Sequence, residues 1–156
     1  QVGKEFSKEF DAKEYGLTEG YMLDDAELVV IALGSTCGTL RLVIEKLREQ
    51  GVKAGMLKIR VFRPFPQEEV REKLKNAKAV AVLDRSDSYN AVGGPACAEV
   101  KQALYGESEI PIANYIYGLG GRDTTLEMLE SVYTDLAKIA DEEETDIPVK
   151  YLGVRE

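Results

Sequence analysis

The residues best suited to chemistry stand in four short segments, the first being Gly34-Ser35-Thr36-Cys37-Gly38-Thr39. Here glycines and hydroxyls sit where an apolar run gives way to a helical pattern. Backbone N–H groups and a helix dipole meet at such a point, and together they hold anions. The spacing is not G-x-G-x-x-G and no Walker lysine follows, so the specific nucleotide motifs are absent. A tight turn with an N-cap needs the same residue types without any ligand, and this plainer reading is preferred. Cys37, beside a helix start, is a candidate for a lowered thiol pKa, with a small packing residue as the favoured alternative.

The second segment, Asp84-Arg85-Ser86-Asp87-Ser88-Tyr89-Asn90, follows a strand pattern and so lies at the same end of a parallel sheet as Gly34. The two loops are expected to face one cleft. This makes Gly34, Ser35, Thr36, Asp84 and Arg85 the candidate cofactor-binding residues. Two carboxylates with a few hydroxyls are a weak signal for a divalent ion. The default is a hydrogen-bonded turn with Arg85 in an ion pair. The third segment is Tyr117-Gly118-Leu119-Gly120-Gly121-Arg122-Asp123. Gly120 and Gly121 permit close backbone approach by another chain or a ligand. Arg122 can fork onto a carboxylate or phosphate, or pair with an acid of its own domain.

The fourth segment, Lys58-Ile59-Arg60-Val61-Phe62-Arg63-Pro64-Phe65-Pro66, joins a strand pattern to a corner locked by two prolines. Each proline pushes the preceding residue out of the helical region, so Arg63 and Phe65 are predicted to be extended. Pro66 then suits the first helical position, with Glu68 and Glu69 favoured by the helix dipole in the first turn. A rigid connector with Phe62 or Phe65 as a core plug is preferred over a ligand site at Arg60 or Arg63.

What is missing narrows the chemistry further. The chain has no histidine, which removes Ser-His-Asp and Cys-His nucleophile systems and every histidine metal site. Its two cysteines, Cys37 and Cys97, form no C-x-x-C pair, so zinc, cluster and redox dithiol readings are weak. A net charge of −8 argues against general nucleic-acid binding. No apolar run approaches the roughly 20 residues of a membrane-spanning helix, and the chain is read as cytoplasmic. It opens at Gln1 rather than methionine, which reads as a segment of something longer.

These segments need a frame. With 156 residues, 44% hydrophobic and 31% charged, the chain is read as one domain: an extension over 1–14, a core over 15–141 and a tail over 142–156. Apolar runs at 28–33, 54–59, 79–83 and 112–117 alternate with helical patterns, which implies a mostly parallel sheet covered by helices. Residues 20–23 are a candidate further strand, and 149–152 a short edge strand. In the first helix Leu40, Val43, Ile44 and Leu47 share a face, and Gly51 suits its C-terminus. A second helix is predicted over 66–76, and a third from Pro95 to near Gly106. In the fourth, Thr124 and Glu127 read as a capping box ahead of a buried stripe of Leu126, Leu129, Val132, Leu136 and Ile139. Acidic residues 141–144 at its negative end predict fraying.

Four motifs occur in order: Ala32-Leu33-Gly34-Ser35-Thr36, Arg60-Val61-Phe62-Arg63-Pro64-Phe65-Pro66, Val82-Leu83-Asp84-Arg85 and Tyr117-Gly118-Leu119-Gly120-Gly121-Arg122-Asp123. Together they resemble the C-terminal domain of the alpha subunit of pyruvate:ferredoxin oxidoreductase, within the 2-oxoacid:ferredoxin oxidoreductases. The proline corner looks more like the pyruvate or branched-chain branch than the 2-oxoglutarate branch. The resemblance implies a three-layer α/β/α fold similar to the transketolase C-terminal domain. Its five-stranded mixed sheet has the order 1-3-2-4-5, strand 1 antiparallel.

The same resemblance implies a reaction, the oxidation of pyruvate with coenzyme A to acetyl-CoA and carbon dioxide, with electrons passing to ferredoxin. Thiamine diphosphate, magnesium and iron–sulfur clusters are implied in other domains or in the thiamine-binding, gamma and ferredoxin-like subunits, and none in this chain. It carries over no catalytic or metal-binding residue. Arg60, Arg63, Phe65, Gly120, Gly121 and Arg122 are the interface candidates. A phosphate or coenzyme A module built on the two facing loops, and a 2-oxoisovalerate-type subunit, are the alternatives.

Overall fold

Strands buried on both faces are written as continuous apolar runs, and alternate residues then serve opposite layers. Strand β2 (Leu28–Leu33) does this. Leu28, Val30 and Ala32 enter one core with Leu40, Val43 and Ile44 of α2 (Thr36–Glu49) and Leu129, Val132 and Leu136 of α5 (Leu126–Ala140). Val29 and Ile31 enter a second core with Val70 and Leu74 of α3 (Gln67–Leu74) and Val100 of α4 (Pro95–Leu104). Each core seals one face of the sheet, and the fold is a three-layer α/β/α sandwich. The computed structural model describes residues 2–13, 15–89, 92–142 and 149–154.

The other strands are β1 (Thr18–Tyr21), β3 (Ala54–Ile59), β4 (Ala79–Asp84), β5 (Ile112–Ile116) and β6 (Lys150–Tyr151). They lie in the order β1-β3-β2-β4-β5-β6. Strand β1 runs antiparallel to β3, with Thr18 opposite Ile59. All other pairs are parallel. The implied order and the antiparallel first strand are found, and the tail adds a sixth strand beside β5. Helix α1 (Val2–Glu9) precedes the core and has no buried residue. Among the described residues no helix is long and apolar enough to cross a membrane.

Helix α4 starts at Pro95 as expected, while two other helix starts differ from expectation by one residue. Pro66 has φ −82° and ψ 63°, outside the helical region, so it caps α3 and Gln67 begins it. The Arg63-Pro64 peptide bond is cis. At α5 the cap is Thr125, not Thr124: its backbone is extended and its hydroxyl accepts from the Met128 N–H at 3.3 Å. Leu126 is then 40% exposed and leaves the stripe, while Tyr133 joins it. Buried Tyr133 donates its hydroxyl to the Gly55 carbonyl at 2.9 Å, tying α5 to β3. Of the fraying expected over 141–144, residues 143 and 144 lie outside those described, and α5 ends at Ala140 with Asp141 as its C-cap.

Candidate functional site

Strand β2 has β3 on one side and β4 on the other, so successive connections leave toward opposite faces. The carboxyl ends of β2 and β4 diverge there, which is where open α/β sheets place ligand crevices. A cavity of about 300 Å³ occupies the point. Leu33 and Gly34 line it from the end of β2, Phe62 from the proline corner, and Asp84, Arg85 and Tyr117 from β4 and the residue after β5. All four sequence segments therefore reach one crevice, the third through Tyr117 alone.

The polar candidates are largely committed elsewhere. Asp84, 5% exposed, accepts from the N–H groups of Ala96 at 2.8 Å and Cys97 at 3.0 Å, and from the Asn114 amide at 3.1 Å. It caps α4 from a distance and is no free metal ligand. Burial raises its carboxyl pKa against the opposing pull of these bonds. Asn114 completes the device: its oxygen accepts from Gly94 N–H at 2.7 Å and its amide also donates to the Val82 carbonyl at 3.0 Å. Sequence reasoning missed this residue, whose signal was an amide inside an otherwise apolar strand. Gly94 is required, since a Cβ there would sit 2.1 Å from the Asp84 carboxyl carbon.

Thr36 is buried with its hydroxyl 2.8 Å from that of Tyr117. Ser35 is exposed at the start of α2 and makes no capping bond with its side chain. The Gly34 turn is left-handed, with φ 72°, which explains that glycine without a ligand. Contrary to expectation, Arg85 has no ion pair among the described residues and instead lies over the Tyr117 ring at 5.5 Å. Burial pushes the Cys37 thiol up, not down, with the Lys58 charge in partial opposition. Burial also pushes Cys97 up to about 11. The two thiols sit in different cores, on opposite faces of the sheet.

The interface candidates divide in the same way. Arg60 donates to Glu19 at 2.5 Å and stacks on Tyr15 at 4.8 Å, so it clamps β1 inside the domain. Glu19 also accepts from Arg41 at 2.9 Å. Partial burial raises its pKa, but Arg60 and Arg41 hold it below the ordinary carboxylate value. Arg63 pairs with Glu99 at 2.8 Å, lies over Phe62 at 4.2 Å, and keeps 61% of its side chain exposed. Phe62 and Phe65 meet edge to face at 6.1 Å and both pack on the second core. Gly120 and Gly121 have φ 67° and 78° and open space where a side chain would stand. Arg122 donates to the Gly153 carbonyl, holding the tail. Among the described residues no group of three metal-ligating side chains comes together.

Residues 26–129 match the family model for Pyruvate:ferredoxin oxidoreductase core domain II. Pyruvate synthase subunit PorA of Thermotoga maritima is 44% identical over 160 residues, covering 100% of this chain and 39% of that protein. Ketoisovalerate oxidoreductase subunit VorA of Pyrococcus abyssi is 40% identical over 155 residues, covering 99% of this chain and 39% of the relative. The chain thus spans about two fifths of the length of the curated relatives it matches. A split-gene transketolase, an inactive β4 tetramer, shares the fold with TM-score 0.64 at 15% identity over 82% of this chain and 44% of its own. So does 2-oxoglutarate:ferredoxin oxidoreductase from Magnetococcus marinus, with TM-score 0.56 at 20% identity over 85% of this chain and 21% of its own. On the family-model match over residues 26–129 and the identity to these relatives, the chain belongs to the Pyruvate:ferredoxin oxidoreductase core domain II family.

Proposed function

We propose that the chain is the core domain II portion of the alpha subunit of a thiamine-diphosphate-dependent pyruvate:ferredoxin oxidoreductase. There it shapes interfaces and performs no step of catalysis by itself. The carrying observation is the 44% identity to a pyruvate synthase subunit across the entire chain. Its own residues do not suit the cofactors of such an enzyme. The two cysteines face opposite layers and cannot gather around an iron–sulfur cluster. The one buried carboxylate at the crevice is bound by three N–H groups. Thiamine diphosphate, magnesium and the clusters belong to other domains or subunits, with ferredoxin as the indirect electron acceptor and the cytoplasm as the setting.

The exposed Gly120-Gly121 turn and Arg63 are the surfaces offered to neighbouring domains. Arg60, Phe65 and Arg122 hold those surfaces in shape. The test is reduction of a viologen dye by pyruvate and coenzyme A. The assembled oxidoreductase is expected to support it, and the 156-residue chain alone to give none. Dye reduction by the isolated chain, or an assembly inert toward both pyruvate and 2-oxoisovalerate, would overturn the reading. A higher kcat/KM for 2-oxoisovalerate than for pyruvate would move the substrate to the branched-chain class, to which the VorA relative's name points.

A further inference from the structure

We infer that the crevice between β2 and β4 is a docking socket for a neighbouring polypeptide segment, one that inserts an apolar side chain and sets a carboxylate on Arg85. The inference rests on the reading of this chain as part of a larger oxidoreductase. Charge is the first argument. Of the described arginines, Arg41, Arg48, Arg60, Arg63, Arg71 and Arg122 each hold a carboxylate or carbonyl oxygen of the chain. Among the described residues Arg85 holds neither and lies over the Tyr117 ring. This is not for want of acids, since the chain has 28 of them and a net charge of −8.

The guanidinium is also positioned. A Cβ at Gly118 would lie 2.9 Å from its nitrogen, so the glycine leaves the space it occupies. An arginine held on an aromatic face has already lost much of its freedom and is ready to receive a carboxylate fork. Asp84 does not cancel it, being turned into the α4 start by its three hydrogen bonds.

Shape is the second argument. Leu33, Phe62, Leu83 and Pro95 make much of the wall apolar, so the complement to Arg85 carries an apolar group beside its charge. Just past Arg85 the Ser88 N–H donates to the Gly93 carbonyl, and Tyr89 and Val92 stand exposed to solvent. Neither lines the cavity of about 300 Å³, so a small molecule filling it would leave both in water, and exposed apolar groups near such a site are the surface a polypeptide partner uses. Tyrosine and arginine are the residue types that carry binding energy at the centres of protein interfaces.

The test uses the complete oxidoreductase with Ser86, an exposed residue on the crevice wall, replaced by the photo-crosslinker p-benzoylphenylalanine. Only preparations that reduce viologen with pyruvate are irradiated, so a failure of the functional reading shows before this experiment begins. The expected product joins Ser86's position to a segment outside residues 1–156 with an aspartate or glutamate within a few positions of an apolar side chain. Adding Arg85→Glu should lower its yield about tenfold, and Arg85→Lys by less. Reversing the captured segment's acid to arginine should restore the Arg85→Glu yield. An active enzyme giving no polypeptide product, a product within a second copy of this chain, or a yield indifferent to Arg85→Glu would overturn the docking inference alone.

Discussion

Asp84 shows how a side chain's place can be legible while its particular partners are not. Its position at the end of β4 put it in the crevice, yet its oxygens answer the N–H groups that α4 leaves open at its start. Replacing it by alanine strands two buried donors and an amide, so Asp84→Ala should cost about 2–4 kcal/mol in urea unfolding. Asp84→Asn should cost less, because one acceptor remains. Glu27 supplies the pH counterpart. Hydrogen bonds from Lys53 at 2.7 Å and Lys78 at 2.6 Å hold its carboxyl at about 2, below the ordinary 4.5. A carboxylate depressed in the folded state adds stability above the unfolded value and loses it as pH falls through the folded one. Wild-type stability should therefore carry a component that declines from about pH 4.5 toward about pH 2 and is absent in Glu27→Gln. Urea midpoints compared across that range check it, and added salt should shrink the component.

At the scale of elements, the strands were the most legible. Runs such as 28–33 and 54–59 match β2 and β3 residue for residue, because strands buried on both faces are written as nearly continuous apolar runs, with Lys58 the one charged residue of the two. Helix starts were less legible, since two neighbouring threonines offer the same hydroxyl and only backbone dihedrals choose between them. Thr125 carries the extended backbone and the bond to Met128. Thr125→Ala should thus lose about 1 kcal/mol, while Thr124→Ala should stay within about 0.5 kcal/mol of wild type, both by thermal or urea denaturation. A reversed order would restore the Thr124 capping box. Of the site, the converging loops were legible from their shared end of a parallel sheet. The Asp84 and Asn114 network was not, because nothing local marks a carboxylate as a distant helix cap.

For the whole molecule, two separate cores on one sheet predict a graded resistance to opening. Amides of β2 and β4, flanked by strands and covered on both faces, should exchange with deuterium slowest. Those of α1, with no buried residue, and of the two-residue edge strand β6 should exchange fastest. Mass spectrometry of timed exchange would show it, and equal protection of α1 and β2 would contradict the layered account. The sequence by itself determined the alternation of strands and helices, the two-faced burial of the central strands and the family, since these follow from local apolar patterns and ordered motifs. Only the tertiary structure decided which polar groups are spent. Asp84 finds partners 12, 13 and 30 residues away, while Arg85, one position on, has no ion pair among the described residues and lies over the Tyr117 ring. Hydrogen bonding is short-ranged, so which donors and acceptors satisfy one another is settled when the topology brings distant segments within about 3 Å. Which arginine is left facing outward is settled at the same moment.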